Sequence, residues 1–171
     1  MKQRFTLSIF TEDIVGLLNR VTIIFTRRKI NIESITASES EIEGIHRYTI
    51  VVTESEDLIK KVTLQLEKQV EIIRAFYHLD NDVIYQELAL YKIPTSVLAN
   101  GGEVEKIVRS FNARVLSVEK EFTIIEKTGH KEETHQLFNA LKPYVILEFV
   151  RSGRIAITKP MQTLKSILEK N

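Results

Sequence analysis

Twice along this chain the apolar residues change their spacing in the same order, and that repeated order limits the fold more than any other feature. Phe5, Leu7 and Ile9 alternate with Arg4, Thr6 and Ser8, the period of a half-buried strand. After Gly16, the residues Leu17, Leu18, Val21, Ile24 and Phe25 recur at helical spacing and share one face. Arg27, Arg28 and Lys29 close that helix, where cations suit the negative end of its dipole. Residues 31–38 read as a second strand, and residues 39–44 as a polar hairpin connection. His46, Tyr48, Ile50 and Val52 alternate through a third strand. Ser55 is placed to cap a helix, with Glu56 and Asp57 in its first turn and Leu58, Ile59, Val62 and Leu66 as its apolar stripe. Residues 70–79 supply a fourth strand.

The order then starts again. Residues 85–93 form a strand and 94–102 a loop, and Val104, Ile107, Val108 and Phe111 mark a helix. Residues 113–118 and 122–127 make a strand pair around Glu119 and Lys120. Leu137, Phe138 and Leu141 mark a shorter helix, and residues 144–150 the closing strand. The expected class is therefore α+β, with two tandem ferredoxin-like βαββαβ domains. They span 1–80 and 83–159, followed by a helical tail over 160–171 that has Pro160 at its start. Residues 154–158 read as a short extra strand. The joint at Asn81 and Asp82 lacks the Gly/Ser composition of a free linker.

Charge and composition exclude several functions. The net charge is +1, and the halves are balanced at 11 basic against 12 acidic residues for 1–80 and 13 against 11 for 81–171. No half is a basic arm, so nucleic acid and anionic membrane are not expected partners. The third strand, Arg47-Tyr48-Thr49-Ile50-Val51-Val52, also lacks the Gly- and Phe-rich signature of RNA-recognition modules with this β/α order. There is no cysteine, which removes disulfides and thiolate chemistry and fits a reducing cytoplasm. No apolar run is long enough to span a bilayer, and the N-terminus leads directly into a strand with no targeting segment.

Signals for catalysis are weak. The chain has no G-x-S-x-G, H-E-x-x-H, Walker loop or G-x-G-x-x-G. Of the four histidines, His46, His78, His130 and His135, the last two are five apart, which does not pair ligands on a helix face. Asn100-Gly101-Gly102 reads as a turn before a helix, with phosphate cradling as the less favoured alternative. Glu12 and Asp13 read as exposed loop acids. A small enzyme on this scaffold would need a constellation that is not present in the sequence.

One loop has the makings of a ligand site. Asp13, Ile14, Val15, Gly16, Leu17 and Leu18 run into a helix N-terminus, where unpaired amides and the positive dipole end suit a carboxylate. Gly16 lets the main chain approach a ligand, and Asn31 offers both a donor and an acceptor. Spacing alone is also met by a plain helix-entry glycine and a turn asparagine.

Gly16-Leu17-Leu18-Asn19-Arg20-Val21, followed by Phe25-Thr26-Arg27-Arg28-Lys29-Ile30-Asn31-Ile32-Glu33-Ser34-Ile35, closely resembles the opening of the acetohydroxyacid synthase (acetolactate synthase) small subunit. Phe111-Asn112-Ala113, Tyr144-Val145-Ile146-Leu147-Glu148 and Val150-Arg151-Ser152-Gly153 are similar to its C-terminal half, so the likeness runs from about residue 3 to 158. The resemblance implies an N-terminal ACT domain that pairs with a second copy in a homodimer. A branched-chain amino acid, usually valine, is then held by the loop of residues 13–18 from one chain and by Asn31 and Ile32 of the facing chain. It further implies a non-catalytic cytoplasmic subunit that activates a catalytic large subunit. Thiamine diphosphate, magnesium and FAD belong to that partner, and no cofactor is expected on this chain. Where the family often has Asn, this sequence has Asp13, which could pair with the effector's ammonium group or repel its carboxylate. A free-standing ACT-domain sensor of another pathway is the alternative that the resemblance leaves.

Overall fold

The computed structural model describes residues 1–99, 102–161 and 163–169. They form two units, Met1–Tyr85 with Arg154–Asn171, and Gln86–Gly153.

In the first unit the chain runs β1 (Gln3–Glu12), α1 (Leu17–Arg27), β2 (Ile32–Glu39), β3 (Ile45–Glu54), α2 (Glu56–Leu66) and β4 (Ile72–Leu79). The strands form an antiparallel sheet in the order β2-β3-β1-β4. Phe5, Leu7 and Ile9 of β1 and Tyr48, Ile50 and Val52 of β3 meet Val21, Ile24 and Phe25 of α1 and Ile59, Val62 and Leu66 of α2. Each such side chain, fully buried, contributes on the order of 1.5–3 kcal/mol. The stripe read from the sequence is therefore the core stripe, except at Leu18, which stays 41% exposed. Lys29 takes φ 56°, a left-handed close to α1 in which the Ile30 amide donates to Phe25 O. Ser55 caps α2 by position, without a side-chain hydrogen bond.

β1 is buried on both faces, because Thr6, Ser8 and Phe10 on its far side are as enclosed as Phe5 and Leu7. Chain from beyond residue 153 meets that far face. Arg154, 2% exposed, donates to Thr6 Oγ1 at 2.8 Å and to Asp80 Oδ1 at 2.6 Å, and stacks 3.5 Å from the Tyr85 ring centroid. β9 (Ile155–Thr158) pairs with β5 (Val83–Pro94), and α6 (Leu164–Leu168) follows. The sequence reading ran the second domain on to residue 159. The structure groups Arg154 onward with the first unit, because the buried guanidinium finds its partners there.

The second unit continues from β5 through α3 (Thr95–Ala99), α4 (Glu103–Ser110), β6 (Arg114–Val118), β7 (Phe122–Gly129), α5 (Lys131–Leu141) and β8 (Glu148–Arg151). Its strand order is β6-β7-β5-β8. Ala89, Tyr91, Ile93 and Ile125 pack against Val104, Val108, Leu137 and Leu141. The Tyr91 hydroxyl donates to Thr134 O at 2.6 Å, and burial pushes its pKa up to about 12. Two expectations change here. Residues 95–99 are helical rather than loop. The closing strand starts at Glu148, not at residue 144, because Pro143 favours a 3₁₀ turn over Lys142–Tyr144 and Val145 turns left-handed at φ 62°.

Candidate functional site

β1 ends at Glu12, and four residues later Gly16 opens α1 at φ 84°, a region L side chains rarely adopt. A Cβ built there meets nothing within 4 Å, so the space in front of the turn is open. The Asp13 amide donates to Gly44 O, the Ile14 amide to Glu12 O and the Leu17 amide to Ile14 O. The amides of Val15, Gly16 and Leu18 have no hydrogen-bond partner among the described residues. No acid occupies the first turn of α1 and no side chain caps it. The helix start thus presents unpaired donors and the positive dipole end to solvent.

The residues singled out by sequence are not equivalent. Ile14, Val15 and Leu18 are exposed, Val15 at 98%. Leu17 is core, and its amide serves the turn. Asn31 is exposed and Ile32 half-buried, just past the far end of α1. An 11-residue helix rises roughly 16 Å. The loop of residues 13–18 and the pair Asn31 and Ile32 therefore lie at opposite ends of α1 within one chain, which does not bring them together.

Asp13 turns toward the β2–β3 connection. Its Oδ1 lies 3.5 Å from His46 Nε2, and Glu39, Glu43 and Gly44 join the two around a polar depression of about 250 Å³. Arg20, one turn into α1, pairs with Glu71, whose carboxyl is held below its usual pKa by a main-chain hydrogen bond and by Arg20. Sequence reasoning missed His46 and Arg20. Only the register could reveal His46, since Thr11 pairs with it and so sets it at the end of β1.

Asn100 and Gly101 lie outside the described residues. Gly102, at φ 69°, begins α4. Among the described residues no three His, Asp or Glu side chains gather as a metal site, and no helix is long and apolar enough to cross a membrane.

Two sheets of four antiparallel core strands, each with helices on one face and a glycine-opened first long helix, define a tandem ferredoxin-like protein whose first unit is of the ACT class. Residues 7–74 match the AHAS small subunit-like ACT domain, and residues 86–160 match the small subunit of acetolactate synthase. The acetolactate synthase small subunit of Bacillus subtilis is 34% identical over 95% of this chain and 93% of its own length. That of Mycolicibacterium smegmatis is 34% identical over 90% of each. The crystal structure of the acetolactate synthase small subunit from Thermotoga maritima superposes with a TM-score of 0.83 at 28% identity, covering 92% of this chain and 98% of that one. The chain belongs to the acetolactate synthase small subunit family.

Proposed function

We propose that this chain is the non-catalytic regulatory subunit of a cytoplasmic acetolactate synthase in branched-chain amino acid biosynthesis. It activates the catalytic large subunit and transmits feedback inhibition by valine. Two copies pair through their first units, and the amino acid bridges them. The exposed amides at the start of α1 take the carboxylate of the effector, as helix N-termini do. Asn31 and Ile32 come from the facing copy.

The observation that carries this reading is the separation of its two halves by the length of α1, about 16 Å. One chain cannot close such a site on itself, whereas a twofold pair supplies each half from a different copy. The Asp13 carboxylate faces His46 and, with Glu39 and Glu43, borders a depression whose sign suits an ammonium group. This supports Asp13 as a partner for the amino end of the effector rather than an obstacle to the carboxylate. Inhibition requires the effector to favour one state of the holoenzyme, and a tenfold shift takes about 1.4 kcal/mol of differential affinity.

The test is a calorimetric titration of the purified chain with valine, leucine and isoleucine, beside an activity assay of the holoenzyme reconstituted with a catalytic subunit. Saturable valine binding at one or two sites per dimer, with loss of activity over the same concentrations, is the expected result. No association with a catalytic subunit would turn the reading to a free-standing sensor.

A further inference from the structure

On the far face of the first sheet lies a cation, Arg47, that has no ion pair among the described residues. Pairing of Phe10 with Arg47 and of Ser8 with Phe76 sets these four side chains on that face, away from α1 and α2. The Arg47 guanidinium donates through Nη2 to Ser8 Oγ at 3.2 Å and to Ala156 O at 2.5 Å. Its Nε is buried with no hydrogen-bond partner, and it makes no ion pair among the described residues. Burial lowers its pKa, and Glu41 opposes this only at longer range. Arg47 is half-buried, with its guanidinium 5.3 Å from the Phe10 ring centroid, and a cation partly withdrawn from water without a close counterion favours an incoming anion.

Beside it is a cavity of about 190 Å³, walled by Phe10, Phe76, Ile157, Leu164 and Ile167. His78 and Glu41 also reach it. Burial holds the His78 imidazole below its ordinary pKa, with Arg47 adding to the effect and Asp82 opposing it, so at neutral pH it offers a polar contact and no second positive charge. All of these residues belong to the first unit.

We propose that this cavity binds a small aliphatic monocarboxylate, with the carboxylate on Arg47 and the hydrocarbon against the Phe10, Phe76, Ile157, Leu164 and Ile167 wall. The volume has room for roughly six or seven heavy atoms, which is a four- or five-carbon acid. A lone guanidinium with an acid, Glu41, at the same cavity disfavours a dianion such as phosphate, and the apolar wall gains nothing from one. The ligand would touch both β3 and the chain beyond β9, tying Leu164 and Ile167 to the sheet. This site is separate from the start of α1 and does not rest on the effector reading above.

The experiment uses the full chain labelled with nitrogen-15 and titrated with isovalerate, with sulfate as the purely anionic control. Isovalerate should shift the Arg47 Nε–H and His78 ring signals saturably, and sulfate should not. Arg47→Gln should weaken isovalerate at least tenfold. Ile167→Trp, which keeps the cation and fills the cavity, should abolish binding, while Gly16→Asp should leave it unchanged. Equal response to sulfate, or isovalerate binding retained in both Arg47→Gln and Ile167→Trp, overturns the proposal. Loss of valine binding in Gly16→Asp with isovalerate binding intact would separate the two sites.

Discussion

The first long helix of each unit begins in the same way and ends up electrostatically different. α1 follows Gly16 at φ 84° and α4 follows Gly102 at φ 69°, and in both cases the space in front of the glycine is open. Both helices take a main-chain bond back to that glycine, from Arg20 and from Lys106. The first turn of α4 carries Glu103 and Glu105, whereas the first turn of α1 carries no acid. Two carboxylates already answer the positive end of α4, and Glu103 also accepts a hydrogen bond from the Tyr144 hydroxyl at 2.8 Å. Of these two helices, α1 is the one whose first turn has no carboxylate. Topology and a glycine therefore do not make a carboxylate site. Under the proposed function, the first-turn side chains make the difference.

The widest separation between the two helices should come from matched substitutions at their glycines. Gly16→Asp places a charge and a side chain before the open amides, and should weaken valine binding a hundredfold or more, about 2.7 kcal/mol. Feedback should vanish from the reconstituted holoenzyme while activation persists. Gly102→Asp should leave valine inhibition unchanged, and if both variants lost it equally the contrast would be void. Next, Asn31→Ala removes a donor and an acceptor from the far end of α1, and calorimetry should read an affinity about tenfold lower, ~1.4 kcal/mol. An unchanged constant would remove Asn31 from the effector site. A smaller effect is expected from Leu18→Glu, which gives α1 the acidic first turn of α4. A dipole contribution of about 0.3–1 kcal/mol corresponds to roughly two- to fivefold weaker valine binding, fading at high salt. The least perturbing variant is Glu103→Gln. The Tyr144 phenol is held above its ordinary pKa chiefly by its hydrogen bond to Glu103, so its ultraviolet titration should move back down while valine binding stays constant.

The order of elements was legible because strand and helix periods differ clearly in residues such as Phe5, Leu7 and Ile9 against Val21, Ile24 and Phe25. The closing strand was overextended because Tyr144, Val145, Ile146 and Leu147 carry strand-like side chains, while the main chain there is set by Pro143 and the left-handed Val145. The helix over Thr95–Ala99 has too few residues to show a period. The loop of residues 13–18 could be found because glycine before an amphipathic run is a local signal. Arg154 could not, since its partners Thr6 and Asp80 lie 148 and 74 positions away and only the fold joins them. His46 beside Asp13 was hidden for the same reason.

The return of Arg154 to the first unit has a consequence for biosynthesis. The chain through Tyr85 leaves the ribosome 69 residues before Arg154 does, a span counted from the unit boundaries. At ordinary elongation rates that is roughly 3 to 14 s. For that interval the nascent ACT sheet lacks the guanidinium that later joins Asp80 to Thr6. A message cut short before codon 154 would release a polypeptide with that seam permanently open, a natural substrate for chaperones and proteases.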